Sequence, residues 1–297
     1  MKDSSFLIVG LARNCANSLR FNVSIFEKAF RDARNIAWFI VESDSEDRTV
    51  EVLYDLEKER SDFSYVSLGN LRYRYPKRTE RIAFCRNKYL DFIANDSFCA
   101  KFDYIVVSDL DNVNLKVTAS GIQSCWKRGD WDVCCANQEG PYYDIWALRH
   151  PLWSPNDCWE QAGQFQALGL SRFKSIFISV YARMISIPAN SDWIEVDSAF
   201  GGLAIYRKSA LRFVSYSGLG QDGEEICEHV ALHGMIRSDG GRILINPALI
   251  NAGVVEHARN ATRVGLLRFW FRCQVGSLSY RLRLTSMLRR IKNAFSG

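Results

Sequence analysis

"DYIVVSDLDNVN", residues 103–114, holds the step that decides the fold. Residues 104 to 108 read as a strand buried on both faces, because a short unbroken apolar run is what a central parallel strand needs. The strand runs straight into Asp109 and Asp111 with one leucine between them. A second such tripeptide, Asp130 and Asp132 in "GDWDVCC", precedes its strand instead of following it. With 19 aspartates in 297 residues, chance supplies about one D-x-D per chain, so position, not the motif, carries the reading. Ligands of open α/β sheets bind outside the carboxyl ends of strands, which favours the first pair.

Working outward, strand-then-turn recurs. "FLIVGLA", residues 6–12, is a first buried strand that ends in the polar turn "RNCANS". Apolar residues 36–41 give way to an acidic turn with Glu42 and Asp44, and Thr49 opens a helical pattern of Val50, Leu53 and Leu56. Repetition of strand, polar turn and helix predicts an α/β protein with a mostly parallel sheet. Residues 79–94, "TERIAFCRNKYLDFIA", carry Ile82, Cys85, Tyr89 and Ile93 at helical spacing. On that wheel Arg86 falls within the apolar stripe, so its guanidinium points inward and needs a partner. "DVCCAN" predicts another strand, residues 141–160 a long ordered aromatic loop, "DGEEICEHVALHGMI" an acidic helix, and "GRILINPAL" a short strand.

Charge is distributed unevenly. The chain has a formal net charge of +5, yet from residue 261 onward it holds eight Arg or Lys and no Asp or Glu. The remainder carries 30 basic against 33 acidic residues, which argues against a nucleic-acid-binding face. The nine cysteines lack any C-x-x-C pair, so buried free thiols and a reducing, cytoplasmic setting are the simplest reading. The seven-residue apolar run near the start is too short for a signal peptide or a spanning helix. We therefore expect one domain, 1–262, and a basic amphipathic helical tail, 263–297, suited to an anionic inner-membrane surface.

Two carboxylates at a strand end can hold a hard cation, Mn²⁺ or Mg²⁺, and leave positions open for diphosphate oxygens. An acidic turn such as Glu42–Asp44 suits ribose hydroxyls. The order of these parts resembles the GT-A fold glycosyltransferases. "FIVESDSEDRT" is similar to the nucleoside turn of family 2, "RIAFCRN" to its AxARN helix and "YIVVSDLD" to its D-x-D strand, and "EHVALHGMIRSDGGRILINPALI" matches a later segment. A closer resemblance, on "RIAFCRNKYL", "SDLDNV", "YYDIWALRH" and "FGGLAIYRKSAL", is to the capsule-associated, cryptococcal-type mannosyltransferase family and its bacterial relatives.

The resemblance implies a Rossmann-like GT-A domain and a nucleoside-diphosphate sugar donor, with a surface-glycan or lipid-linked acceptor. It implies a metal and diphosphate site at Asp109 and Asp111 with His257 as a third ligand. It places Arg13, Glu42 and Asp44 near the nucleoside, and Arg81, Arg86 and Asn87 near phosphate or sugar. Glu228 and His229 stand where family 2 has Glu-Asp with the Asp as base, which leaves the acceptor's proton to either of them, or to no protein base, as in retaining transfer. Two rivals stand beside this reading. A sugar nucleotidyltransferase would show a Gly- and Arg-rich loop after the first strand, where "GLARNCANS" has one of each. A non-catalytic membrane-surface component would keep the fold but bind no donor.

Overall fold

The computed structural model describes residues 1–261 and 263–281. In chain order the elements are β1 (Ser5–Ala12), α1 (Ala16–Ala29), β2 (Asn35–Glu42), α2 (Thr49–Glu59), β3 (Phe63–Ser67), α3 (Arg78–Asn95), β4 (Tyr104–Ser108), α4 (Ala119–Ser124) and β5 (Val133–Gln138). They continue with α5 (Cys158–Ala167), α6 (Arg172–Ser179), β6 (Ile194–Val196), β7 (Leu203–Arg207), α7 (Glu228–Ser238), β8 (Ile243–Ala252) and α8 (Arg263–Arg281).

Eight strands form one mixed sheet in the order β3-β2-β1-β4-β7-β5-β8-β6. β3, β2, β1 and β4 run parallel, as do β5 and β8, while β7 and β6 are antiparallel to their neighbours. Both faces are covered, which is why the central strands read as continuous apolar runs. Alternation divides them between two cores. Leu7, Val9, Ile105 and Val107 pack with Tyr89 of α3 and Leu232 of α7. Phe6, Ile8 and Val106 pack on the other face with Phe26 of α1, Leu53 of α2 and Ile122 of α4.

Strand order reverses at β1: the chain first builds outward to β2 and β3, then returns to lay β4 on the opposite side of β1. A crevice opens at the carboxyl ends of β1 and β4, at this switch point. Close approach there depends on Gly10, since a Cβ at that position would sit 2.5 Å from the Ser108 carbonyl oxygen. Pro247, lacking an N–H, lies where the β5–β8 register shifts, the kind of place a sheet tolerates proline.

Observed boundaries follow the sequence closely at β1, β2, β4, β5 and α3 and at the start of α2, and depart at the acidic helix. The acidic helix begins at Glu228 rather than at residue 222, because 222–227 close a turn: Gly223 has φ +79°, and the Asp222 carboxylate accepts from Glu224 N–H at 3.0 Å. β3 and β6 bear no strong apolar signature because both are short and lie toward or at the sheet's edges. The aromatic loop ends at α5, which Asp157 caps by accepting from the N–H groups of Trp159 and Glu160.

Of the basic tail, 263–281 form α8, and 282–297 lie outside the described residues. α8 docks through Phe269, whose ring lies 5.3 Å from Phe173 and 5.1 Å from Tyr181. Its opposite side exposes Val264, Leu267 and Phe271 beside Arg268 and Arg272. Among the described residues no helix is long and apolar enough to cross a membrane.

Candidate active site

A cleft of about 380 Å³ lies at the switch point. Arg13 enters from the β1–α1 turn, Asp44 from the β2–α2 turn, Arg78, Arg81 and Arg86 from α3, and Asp109 and Asp111 from the end of β4. The far wall is built from Asp144 and Trp146 of the aromatic loop, Phe200, and Glu228 and His229 at the start of α7.

Arg86 is the central cation. Its Nε donates to Glu228 Oε1 at 2.9 Å, one terminal nitrogen donates to the Tyr89 hydroxyl at 3.2 Å, and the other reaches Asp109 Oδ1 at 3.5 Å. Phe200 and Tyr216 rings flank the guanidinium at 5.3 and 5.6 Å. A cation this deeply buried is tolerable only with such paired carboxylates, and losing one partner leaves a buried charge uncompensated.

One arginine does not neutralise the acids around it. Desolvation raises Asp109 from 3.8 to about 7; Arg86 opposes the shift, and Asp111, Asp144 and Glu228 add to it. Asp144 is also raised, again chiefly by burial. Asp109 nevertheless keeps 36% of its side-chain surface open to the cleft, so its carboxylate remains within reach of a ligand. Excess negative charge on oxygen donors is the chemistry that suits a hard divalent cation. Among the described residues no three His, Cys, Asp or Glu side chains stand together as a complete metal site. Asp109 and Asp111 are the cleft carboxylates that could hold such a cation, its other positions being left to ligand oxygens. The side chain of His257 lies outside what the structure describes.

A network of buried amides fixes the D-x-D loop from below. Asn114 Nδ2 donates to the Asp109 and Gly202 carbonyls, each at 2.8 Å, and its Oδ1 accepts from Asn251 Nδ2 at 2.6 Å. Asn251 also donates to the Gly201 carbonyl at 2.7 Å, and Asp109 N–H donates to Gly202 O at 3.0 Å. Gly202 has φ +86°, and a Cβ there would meet Val113 Cγ1 at 2.7 Å and the Tyr143 hydroxyl at 2.9 Å. Asp144 ties in through Gly201, whose N–H donates to its Oδ2 at 2.9 Å.

The remaining expected residues separate into those facing the cleft and those behind it. Asp44, at φ +57°, accepts from the Leu71 and Arg72 N–H groups and sits 3.7 Å from Arg81 Nε, in the cleft wall. Arg81 also donates to the Tyr75 and Pro76 carbonyls, clamping the 71–77 loop. Arg13 is exposed at the mouth. Glu42 and Asn87 stand behind the wall. Glu42 is fully buried, with its carboxylate taken by Ser45 N–H and the Ser67 hydroxyl. Asn87 pairs by both amide atoms with the backbone of Tyr216. Asp144, Trp146, Phe200 and the Asn114–Asn251 pair were not singled out from sequence; the aromatic density of 141–160 was the only signal near the first two.

His229 and His233, one turn apart, differ. His233 bonds the Ser198 and Tyr206 hydroxyls at 2.9 and 2.8 Å, and burial lowers it to about 3, a neutral histidine of the core. His229 lines the cleft, stacked on Phe200 at 3.9 Å, and is held well below 6.5 by burial, then by Arg86 and His233.

The mixed eight-stranded sheet matches the GT-A fold of solved glycosyltransferases. Among solved structures, the Pyrobaculum calidifontis mannosyltransferase PcManGT, in complex with GDP-Man and Mn²⁺, is similar at TM-score 0.50 and 13% identity, over 93% of this chain and 64% of that one. TarS 1–349 from S. aureus is similar over 89% of this chain and 64% of its own, at 12% identity and TM-score 0.46. Glucosyl-3-phosphoglycerate synthase from Mycobacterium tuberculosis, in complex with UDP, is similar over 91% and 80%, at 12% and 0.40. The chain thus spans about two thirds of the length of the first two, and at 13% identity the likeness to PcManGT is one of fold. No protein-family model matches the sequence, and no curated protein does.

Proposed function

We propose that this chain is a metal-dependent glycosyltransferase, moving a sugar from a nucleoside-diphosphate donor to a surface-glycan or lipid-linked acceptor. The observation that carries the reading is the pair Asp109–Asp111 at the carboxyl end of β4, in a cleft whose acids outnumber the one buried cation facing them. Mn²⁺ or Mg²⁺ bound there would act as a Lewis acid on the departing diphosphate. The protein's own part is positional. Asp44 and Arg13 offer polar contacts to the nucleoside, Arg81 and Arg78 line the path of the phosphates, and Arg86 holds Asp109 and Glu228 in register. Glu228, with one oxygen committed to Arg86, is the proposed acceptor of the proton released as the sugar's C1–phosphate oxygen bond breaks and the bond to the acceptor oxygen forms. Asn87 and Glu42 support the wall rather than touch the donor.

The finer family reading is the capsule-associated mannosyltransferases, supported by the quoted motifs. The outward apolar stripe of α8 with Arg268 and Arg272, and the uniformly basic sequence that follows, support contact with an anionic membrane on the cytoplasmic side, where lipid-linked acceptors are found. A thermal-shift screen of nucleotide sugars with and without Mn²⁺ tests the function, because a ligand that binds only the folded state raises its stability. A donor-specific, Mn²⁺-dependent shift that Asp111→Ala abolishes is expected; no shift with any nucleotide sugar would refute the reading, and pyrophosphate release would replace it by a nucleotidyltransferase.

A further inference from the structure

The cleft is polarised. Three of the arginines that line it, Arg13, Arg78 and Arg81, enter from the β1–α1 turn and the first turn of α3, on the side of Asp44. The opposite wall, with Asp144, Trp146, Phe200 and Glu228, brings no cation of its own. Arg86 reaches it from α3 and is committed to Glu228 and Asp109. Arg149, on the same aromatic loop, donates instead to Asp157 and to the Trp146 and Leu148 carbonyls, each within 3.0 Å, and does not line the cleft.

Two residues of this wall are held in place without being used up. Asp144 is only partly covered; Gly201 N–H donates to its Oδ2 at 2.9 Å, and among the described residues it has no ion-pair partner. Trp146 is likewise partly exposed, and its one polar side-chain atom, Nε1, donates to Asp157 Oδ2 at 2.8 Å. What its side chain has left to offer a ligand is ring carbon. Asp157 is itself fixed, because its other oxygen caps α5.

An aromatic ring beside a carboxylate suits a sugar. Its C–H faces pack on the ring by dispersion, and its hydroxyls donate to the carboxylate. A phosphate group would fare badly on the same wall. It would meet Asp144 and Glu228 with no free cation, and like charges brought together are penalised. Asp144 is already raised, by burial and then by Glu228, so a further negative charge there has nothing to offset it.

We infer that Asp144 and Trp146 form the acceptor subsite, and that it takes an uncharged sugar unit at the end of a glycan, not a lipid phosphate. This rests on the glycosyltransferase reading and chooses between its two acceptor classes. Glu228, the proposed proton acceptor, shares this wall, which assigns the bound sugar to the acceptor side.

The test uses the full chain with Mn²⁺, with GDP-mannose and UDP-glucose as donors. The acceptor probes are the methyl glycosides of glucose, galactose, mannose and N-acetylglucosamine, and farnesyl phosphate. Wild type should transfer to at least one glycoside and not to farnesyl phosphate. Trp146→Leu should raise the KM for that glycoside by roughly tenfold or more, with Trp146→Phe recovering most of the loss and the donor's Mn²⁺-dependent thermal shift unchanged. Melting temperatures without ligand show whether each variant is folded; if Trp146→Leu is not, Asp144→Asn carries the same test, with the same rise in KM expected. Transfer to farnesyl phosphate alone, or to no probe by a protein that binds a donor, overturns the assignment, and so does an unchanged glycoside KM in the folded variant. Each of those results leaves the glycosyltransferase reading standing. If wild type shows no donor-dependent shift, that reading falls and takes the subsite with it.

Discussion

Two Asp-x-Asp tripeptides stand some twenty residues apart, at opposite ends of parallel strands. Asp109 and Asp111 follow β4; Asp130 and Asp132 precede β5. Asp130 is bracketed by Arg128 at 2.6 Å and by Arg242, and these hydrogen bonds hold its carboxyl well below the usual range. Asp132 accepts from Arg242 N–H at 2.9 Å. There each carboxylate is matched in the open, and the pair serves as a local brace. At the other tripeptide four acids face one deeply buried arginine, and Asp109 is pushed the opposite way, to about 7. The contrast is between carboxylates matched by arginine groups near the surface and a carboxylate desolvated in a cleft among other acids.

The comparison can be broken most directly by exchange of the two pairs. Asp111→Ala should cut Mn²⁺-dependent donor turnover by at least about 100-fold with the fold retained, whereas Asp130→Ala should leave turnover at the wild-type rate. Equal losses would erase the distinction.

Stability separates the arginines next. Arg86→Met leaves Glu228 and Asp109 without their counter-ion in the interior, and urea unfolding should show a loss of roughly 3–5 kcal/mol. Arg128→Met at the exposed pair should leave the unfolding midpoint where it was. A smaller effect belongs to the platform: Gly202→Ala, at φ +86° with a Cβ 2.7 Å from Val113 Cγ1, should cost at least about 1–2 kcal/mol. It should also weaken Mn²⁺ binding by shifting the D-x-D loop.

A last effect is in pH. Asp109 is raised from 3.8 to about 7, so its proton favours the folded state, a contribution complete below about pH 4 and lost as pH rises through 7. Asp109→Asn should therefore stabilise the metal-free protein at pH 8 relative to wild type and make little difference at pH 4. Mn²⁺ competes with that proton, so its affinity measured by calorimetry should fall as pH drops below 7. For Asp130 the sign reverses: its lowered value contributes stability at neutral pH that fades on acidification. Parallel titrations of the two would expose any error in the charge assignment.

Some of this was legible in advance. The bounds of β4, the run of α3 and the inward turn of Arg86 followed from periodicity, because a helix stripe and an unbroken apolar strand are local patterns. Asp144 was not legible, because nothing in "YYDIWALRH" distinguishes an acid facing a cleft from one facing solvent. Asn114, Gln138 and Asn251 look like ordinary loop and strand polar residues, yet they form one buried network joining segments more than 100 residues apart. Glu42 looked like a ligand because it ends a strand, but its carboxylate was claimed by the neighbouring turn.

By itself the sequence determined the alternation of strand and helix, the basic terminal stretch and the position of Asp109 and Asp111 at a strand's carboxyl end. These depend on residues near one another in the chain. Tertiary structure alone decided that Arg86, Glu228, Asp144 and His229 share a cleft with that pair, and that one histidine is satisfied while its neighbour is not. Ion pairing, desolvation and unpaired nitrogens are properties of what surrounds a side chain, and the fold supplies those surroundings from β4, α3, the aromatic loop and α7 at once.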